Sequence, residues 1–471
     1  MAQQPKEQVV NLYQGSKRIH PKLAKGRFAN WRILAILATQ LVFYVIPWLT
    51  WSGRQAVLFD IPGRHFYIFG ITLVPGDLIY LTGLLLLSAF GLFWWTTIAG
   101  RLWCGYACPQ TVYTEVMLWI DHLVEGDRNK RLKLDKEPWN ARKIRIKFTK
   151  YLLIFVVCAW TGITFAGWFT PIRELVPAFF NFTVSGGALF AAAFYGFATF
   201  FMAHIMREQV CKYMCPYARF QSAMFDNDTL IISYDEERGE PRGARKKNLS
   251  SEEAGLGDCI NCTMCVQVCP VGIDIRDGLQ YECIGCAACI DACDEIMDKM
   301  SYPRGLIRYT TEAALKKEYP ESKIKQRLLR PRVTGYGVVL FLVFAALVFS
   351  LFHRDTVRVD IIKDRGVMVR ENKQGMLENL YNLRIINANE VDQVLLPSVS
   401  GFETIQLNGV DAAGIVVPAG STITVPVQVA TYPDYAGKGS HPIEFTFRYR
   451  SVDEADTEAR MITEKASFIG E

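Results

Sequence analysis

The sequence predicts a multi-domain membrane protein with an α-helical membrane part of five spans, an α+β two-cluster ferredoxin-like domain and a C-terminal all-β immunoglobulin-like sandwich. Three observations predict it. Five apolar stretches each approach the ~20 helical residues that a bilayer crossing requires. Two consecutive runs of four cysteines lie between the fourth and fifth stretches, and beyond the fifth the chain alternates apolar and polar residues. Half of the 471 residues are hydrophobic and mean hydropathy is +0.12, yet 21% are charged. That is too apolar for an ordinary soluble enzyme and too charged for a bare helical bundle.

The stretches are 31–51, 78–100, 151–169, 184–206 and 333–352. Any one of them would suit a buried core helix, but five together, almost free of charge, point to spans. Lys and Arg set their orientation. Segment 101–150 carries eleven and 207–332 carries nineteen, whereas 52–77 and 170–183 hold only Arg54, Arg64 and Arg173. The N-terminal tail is basic as well (Lys6, Lys17, Arg18, Lys22, Lys25, Arg27). No small-residue cleavage site follows a short apolar stretch there, so an uncleaved first span is expected. The order is therefore a cytoplasmic basic tail (1–30), a first two-span hairpin (31–100), a cytoplasmic segment (101–150) and a second hairpin (151–206). A cytoplasmic ferredoxin region (207–332), a fifth span (333–352) and a domain on the opposite face (353–471) follow. In a bacterial inner membrane that face is the periplasm.

Twelve of the thirteen cysteines fall in four tight groups, and none lies beyond Cys293. Crowded thiols of this kind imply a reducing compartment and metal ligation rather than a disulfide framework. The first run is Cys259, Cys262, Cys265 and Cys269, followed by Pro270; the second is Cys283, Cys286, Cys289 and Cys293. Two-residue gaps let one loop wrap a cubane, while the last cysteine of each run crosses to the other cluster. Cys259, Cys262, Cys265 and Cys293 are thus expected to hold one [4Fe–4S] cluster, and Cys283, Cys286, Cys289 and Cys269 the second. Zinc is the competing reading, but it needs four ligands per site and comes as separated pairs. Asp294 stands where a proline often follows the fourth cysteine, a difference in the turn rather than in the ligands.

The other two groups repeat a motif. Cys104-Gly-Tyr-Ala-Cys108-Pro109 follows the second span, and Cys211-Lys-Tyr-Met-Cys215-Pro216 follows the fourth. On a helix each pair would share a face, and the two pairs together would offer four soft sulfurs at the membrane boundary. Thiolates of that kind select Cu(I), zinc or an iron–sulfur cluster. They also suit a redox dithiol, or simple burial as small apolar side chains, as expected for Cys158. Arg101 and Arg207 precede the motifs, where they would either lower the thiol pKa values or anchor the span ends. Met202, His204 and Met206 end the fourth span. Met202 and Met206 would share a helical face away from His204, with packing as the default and copper ligation as the alternative.

The basic run 126–150, with Trp139, is expected to lie on anionic lipid, and the polar stretch 226–258 to be a linker. Neither carries a nucleic-acid motif. No GxGxxG in a strand–turn–helix setting and no phosphate loop occurs, so the reductant must come from outside, from a cytoplasmic electron donor. From Thr356 onward, Val357–Asp360, Tyr381–Ile385, Ile423–Val429 and Ile443–Tyr449 alternate between Gly, Pro and Asn clusters, as sandwich strands do.

Taken in order, the repeated CxxxCP motif, the eight-cysteine unit, the fifth span and the exported sandwich resemble one family along the whole chain. It is the FixG/RdxA/CcoG family of cytochrome c oxidase accessory proteins, and residues 297–311, Met-Asp-Lys-Met-Ser-Tyr-Pro-Arg-Gly-Leu-Ile-Arg-Tyr-Thr-Thr, also look like it. The resemblance implies a cupric reductase, turning Cu(II) to Cu(I) to support assembly of a cbb-type oxidase. It places copper at Cys104, Cys108, Cys211 and Cys215. The implied partners are a copper chaperone or exporter and oxidase assembly proteins, with a homo-oligomer compatible. The alternative is a quinol-linked conduit like the NapH-type membrane ferredoxins, which share the twin CxxxCP and paired clusters.

Overall fold

The structure is a computed structural model that describes residues 18–245, 251, 254–364, 366, 369–452 and 460–470. Lys6 and Lys17 of the basic tail lie outside the described residues. Five helices are long and apolar enough to cross a membrane: Arg27–Trp48, Pro75–Ala99, Ala141–Ala166, Gly186–Met206 and Glu321–Phe352. They match the five stretches expected. Leu34, Leu41, Leu85 and Phe341 are each more than half exposed on them, which is a lipid-facing rather than a water-facing surface.

The chain forms two compact units. The first comprises Met1–Tyr44, Ser88–Phe165 and Leu189–Phe341. The helices of the chain, in order, begin with α1 (Arg27–Val45), α2 (Leu78–Ala99), α3 (Leu102–Tyr106), α4 (Pro109–Glu125), α5 (Arg128–Lys136) and α6 (Ala141–Ala166). α7 (Ile172–Phe180) falls in the second unit, and α8 (Gly186–Thr199) and α9 (Pro216–Met224) follow. α6 and α8 pack backbone to backbone. A side chain at Gly162 would run into the Ala192 carbonyl, and one at Gly196 would lie 2.9 Å from Cys158 O. Small residues allow this close approach, which dispersion and backbone packing then stabilise.

The ferredoxin region is larger than its cysteine runs. Ile231–Tyr234 pairs antiparallel with Ile307–Thr310, matching Ile232 to Tyr309. The stretch expected as a linker therefore supplies a strand, and Ile232, Tyr234, Leu306 and Ile307 enter one core with Cys259 and Cys265. Part of the basic run turns inward, while Trp139 stays exposed. Arg131 and Lys150 are 1% and 2% exposed, held in ion pairs inside the protein rather than at a lipid surface.

The second unit comprises Val45–Leu87, Ala166–Ala188 and Leu342–Glu471. Its C-terminal part is the immunoglobulin-like sandwich. One sheet runs Gln406–Asn408, Thr422–Thr431, Leu377–Asn387, Val357–Lys363, with Arg370–Glu371 paired to the third of these. The other runs Ile415–Val417, Gln393–Ser400, Gly439–Ser451, Arg460–Gly470. Strict alternation puts Tyr381, Leu383, Ile385, Phe445 and Phe447 inside, each worth ~1.5–3 kcal/mol of burial. The unit also holds a three-stranded antiparallel sheet, Val57–Asp60, His65–Ile68 and Ile71–Leu73, in the loop between the first two spans.

Candidate redox site

The two cysteine runs fold as one repeated loop. Residues two and four after each leading cysteine take left-handed φ angles: Asn261 (53°) and Thr263 (56°) in the first, Gly285 (68°) and Ala287 (60°) in the second. Three of these four are not glycine, so the conformation costs ~1–2 kcal/mol at each and persists only where something over-determines it. Short helices begin directly afterwards, Met264–Val268 and Ala288–Met300.

These loops bring the thiols together in crossed groups. Cys293 lies among Cys265, Cys262 and Cys259. Cys289 lies among Cys286, Cys283 and Cys269, and these four line one small cavity with Cys265. Burial, with the neighbouring thiols adding to it, raises the Cys293 thiol to about 12, and burial raises that of Cys265 to about 11. Such thiols have little use as bare thiolates, and a bound cation is what would offset the burial. Among the described residues no three His, Cys, Asp or Glu converge on a point that one metal ion could occupy. A zinc site demands that convergence. A cubane does not, because each thiolate meets its own iron. The donor chemistry, the crossed grouping and the strained loops all fit [4Fe–4S] clusters.

The CxxxCP pairs are built differently from a plain helix. α2 ends at Ala99 and is followed by Gly100, whose φ is +54°. Cys104 sits in α3, but Cys108 is extended and caps α4, with Pro109 in its first turn. The second motif has the same plan with a changed helix. Phe200–Met206 and Val210–Met214 are π-helical, Arg207 between them has φ +45°, and Cys215 caps α9. Neither pair therefore shares a face of one continuous α-helix. π turns break the ladder and often accompany functional sites.

The four thiols nonetheless form one neighbourhood. Burial raises Cys211 to about 12, with Cys108, Cys104 and Cys215 adding to it. Burial likewise raises Cys104 to about 11, and Cys108 upward against backbone N–H groups of Thr111 and Gln110. Gln221 of α9, fully buried, accepts from Cys104 Sγ at 3.5 Å and so ties the two motifs together.

This quartet touches the second cluster loop. A Cβ at Gly105 would stand 2.8 Å from Ile284 O and 2.9 Å from Cys286 N and Cα, so only glycine fits. Cys104 and Cys211 pack with Cys269, Cys283 and Cys286 in one cluster of side chains. Arg101 lowers the Cys104 thiol less than burial raises it. It is 6% exposed and donates to the carbonyls of Ala218 and Cys283. Arg207 is buried too, 2.5 Å from Asp121 Oδ2 on α4, while Lys150 reaches Asp121 Oδ1 at 2.9 Å. Burial disfavours the Asp121 carboxylate, but Arg207 and Lys150 more than offset it and hold its pKa well below the usual range. That ion pair, with Gln110 donating to Met202 O and Arg207 O, fixes the left-handed residue that aims the second motif.

The Met202, His204 and Met206 grouping is not assembled. The segment is π-helical, with Met202 exposed and His204 buried between Phe200, Tyr151 and Arg18. Gly105, Gln221 and Asp121 are the site residues that the sequence did not single out. No local spacing marks them, because each acts through a partner more than 80 residues away.

Comparison with known proteins agrees with this geometry. The family model described as "4Fe-4S dicluster domain" matches residues 206–312, "4Fe-4S binding domain" matches 81–133, and "IG-like fold at C-terminal of FixG" matches 347–471. The nitrogen fixation protein FixG of Rhizobium meliloti is 35% identical, covering 88% of this chain and 85% of FixG. Protein RdxB of Cereibacter sphaeroides is 37% identical over 93% of each chain, and protein RdxA of the same organism 37% identical over 88% of each.

Proposed function

The chain belongs to the FixG/RdxA/RdxB family of membrane iron–sulfur proteins, and from that premise we propose that it is a cupric reductase. The clusters supply one-electron carriage. This chain's own residues do the rest: Cys104, Cys108, Cys211 and Cys215 take the copper ion, and Gly105 keeps their motif against the loop of Cys283 and Cys286. The observation that carries the reading is that contact. It sets Cys104 and Cys211, two of the four soft sulfurs, in one packed cluster with Cys269, Cys283 and Cys286, with Gly105 against the backbone of Ile284 and Cys286. Thiolates stabilise Cu(I) over Cu(II), so binding there favours the reduced product. Copper leaving as Cu(I) serves the assembly of a cbb-type oxidase, with copper-handling and assembly proteins as partners.

The test is direct. Dithionite-reduced, desalted holoprotein given Cu(II) anaerobically should recover its oxidised cluster spectrum while a Cu(I)-specific chelator colours in proportion. Clusters that stay reduced in the presence of Cu(II) would sink the proposal.

Cytoplasmic placement of 101–150 and 207–332, and periplasmic placement of the sandwich, belong to the same reading and rest on the Lys and Arg bias. Reporter fusions after Lys317 and after Val452 should give opposite topology signals. Matching signals would refute the arrangement.

A further inference from the structure

The two cysteine loops are not equally covered. Of the thirteen cysteines Cys262 alone is exposed, and Asn261 and Thr263 on either side of it are exposed as well. Cys293, which lies among the thiols of that loop, stands two residues before the exposed Glu295. The second loop is closed over. Residues 284–288 are all buried, with Gly105 of α3 against their backbone and Ala24 of the N-terminal tail packed beside Cys269 and Cys283. An outside electron carrier therefore meets a ligand of the first group at the surface, while the second loop faces inward to Cys104 and Cys211.

The rim of the first loop carries unbalanced positive charge. Lys22 donates its backbone N–H to Gln267 O at 2.8 Å, and its Nζ lies 4.0 Å from Met264 Sδ. Lys299 pairs with Glu295 at 2.5 Å and, with Lys22 and Lys25 acting at longer range, holds that carboxyl below its ordinary value. Arg276 and Asp274 cancel at 2.6 Å, and Arg304 and Asp298 at 2.7 Å. Asp294, half-buried, accepts from Gly305 N. Lys22 and Lys25 are exposed and make no ion pair among the described residues, so they are the outward charge of this rim.

We propose that the first cysteine loop is the electron port, and that it docks a small soluble one-electron carrier protein with an acidic face over Asn261–Thr263 and against Lys22 and Lys25. Complementary exposed charges raise the rate of encounter more than the final affinity, which suits a carrier that must leave after each electron. Lipid would also attract lysines near a span. Yet Lys22 is held on the cluster loop, and the lipid-facing surface of α1 begins later, at Trp31, which is 56% exposed. The step balances without a further reagent. The carrier loses one electron and is oxidised, the first cluster is reduced by it, no bond is made or broken and no proton moves. The inference rests on the iron–sulfur assignment and names the donor for copper reduction, but its test contains no copper.

Flavodoxin hydroquinone is the probe, an acidic carrier that gives up one electron to become its coloured semiquinone. Mixed anaerobically with oxidised holoprotein in phosphatidylcholine nanodiscs, it should form semiquinone as the cluster absorbance bleaches. The rate should fall as ionic strength rises to about 0.15 M, where the screening length is ~8 Å. Lys22→Glu combined with Lys25→Glu should slow the reaction roughly tenfold or more at low salt and flatten its salt dependence, as loss of steering implies. Tyr281→Glu, at an exposed position beside Cys283 of the second loop, should leave the rate unchanged. Iron, sulfide and the extent of bleaching by dithionite should match the unchanged protein in every variant, which shows that each one folds. An unchanged rate and salt dependence in the double variant would overturn the proposal and leave the two lysines to the anionic lipid surface. Slowing by Tyr281→Glu without slowing in the double variant would overturn it too, by moving the entry to the second loop.

Discussion

Replacing Cys104, Cys108, Cys211 and Cys215 together by serine is expected to abolish Cu(II) reduction and leave both clusters in place. The four residues stand apart from the eight cluster cysteines in the chain, yet Cys104 and Cys211 pack against the second loop. A serine hydroxyl is a hard ligand with little affinity for Cu(I), so the variant loses the preference that drives reduction. It keeps nearly the same volume, so the packing around Gln221 and Gly105 should survive. The purified variant should still contain about eight irons and eight sulfides per chain, as two cubanes require. Its clusters should be reduced by dithionite and then remain reduced when Cu(II) is added. Loss of iron and sulfide would instead make the quartet structural, and an unchanged rate of Cu(II) reduction would place the copper elsewhere.

Gly105→Val is expected to separate the same two halves without removing a single sulfur. A Cβ there meets backbone atoms, Ile284 O at 2.8 Å and Cys286 N and Cα at 2.9 Å, and backbone cannot rotate aside as a flexible side chain can. Either α3 or the cluster loop must shift, at an overpacking cost of ~1–3 kcal/mol. The loop is the stiffer partner, since its left-handed Gly285 and Ala287 leave it few alternatives. A displacement of about 1 Å can cost on the order of a hundredfold in a step that depends on positioning. The rate of cluster reoxidation by Cu(II) should therefore collapse while cluster content holds. Gly105→Ala should sit between the two, since it adds the Cβ alone. Normal reoxidation in the valine variant would show that the contact is not the route.

The two variants mark the line between what spacing reveals and what it hides. Hydropathy runs and CxxC spacings are local, so the five spans, the crossed cysteine groups and the sandwich strands are legible in the amino-acid sequence alone. The family resemblance, carried by the twin CxxxCP motifs and the eight-cysteine unit, is borne out by the relatives. What is not legible depends on distant partners. Tyr234 looks like part of a linker until it pairs with Ile307. Arg131 and Lys150 look like a lipid-facing run until Asp121 collects them. The CxxxC pairs look helical because an i, i+4 spacing says so. The extended conformations of Cys108 and Cys215, imposed by the prolines that follow and by the helices they cap, remove that face. His204 and its flanking methionines stand at alternate positions, which no helix brings to one face.

The first helix of the membrane part has no acidic residue in its opening turn. Its free N–H groups at Phe28 and Ala29 instead donate to the carboxylate of Asp291, at 3.2 and 2.7 Å. Asp291 lies between Cys289 and Cys293, some 263 residues further along. During synthesis at ~5–20 residues per second, that partner emerges from the ribosome roughly 13–50 s after the helix does. The first helix must therefore enter the bilayer with its terminus unfinished, and it gains its cap only when the iron-binding loop has folded onto it. Folding of the iron-binding segment and the final seating of the oldest membrane helix thus become one event, joined through a single carboxylate.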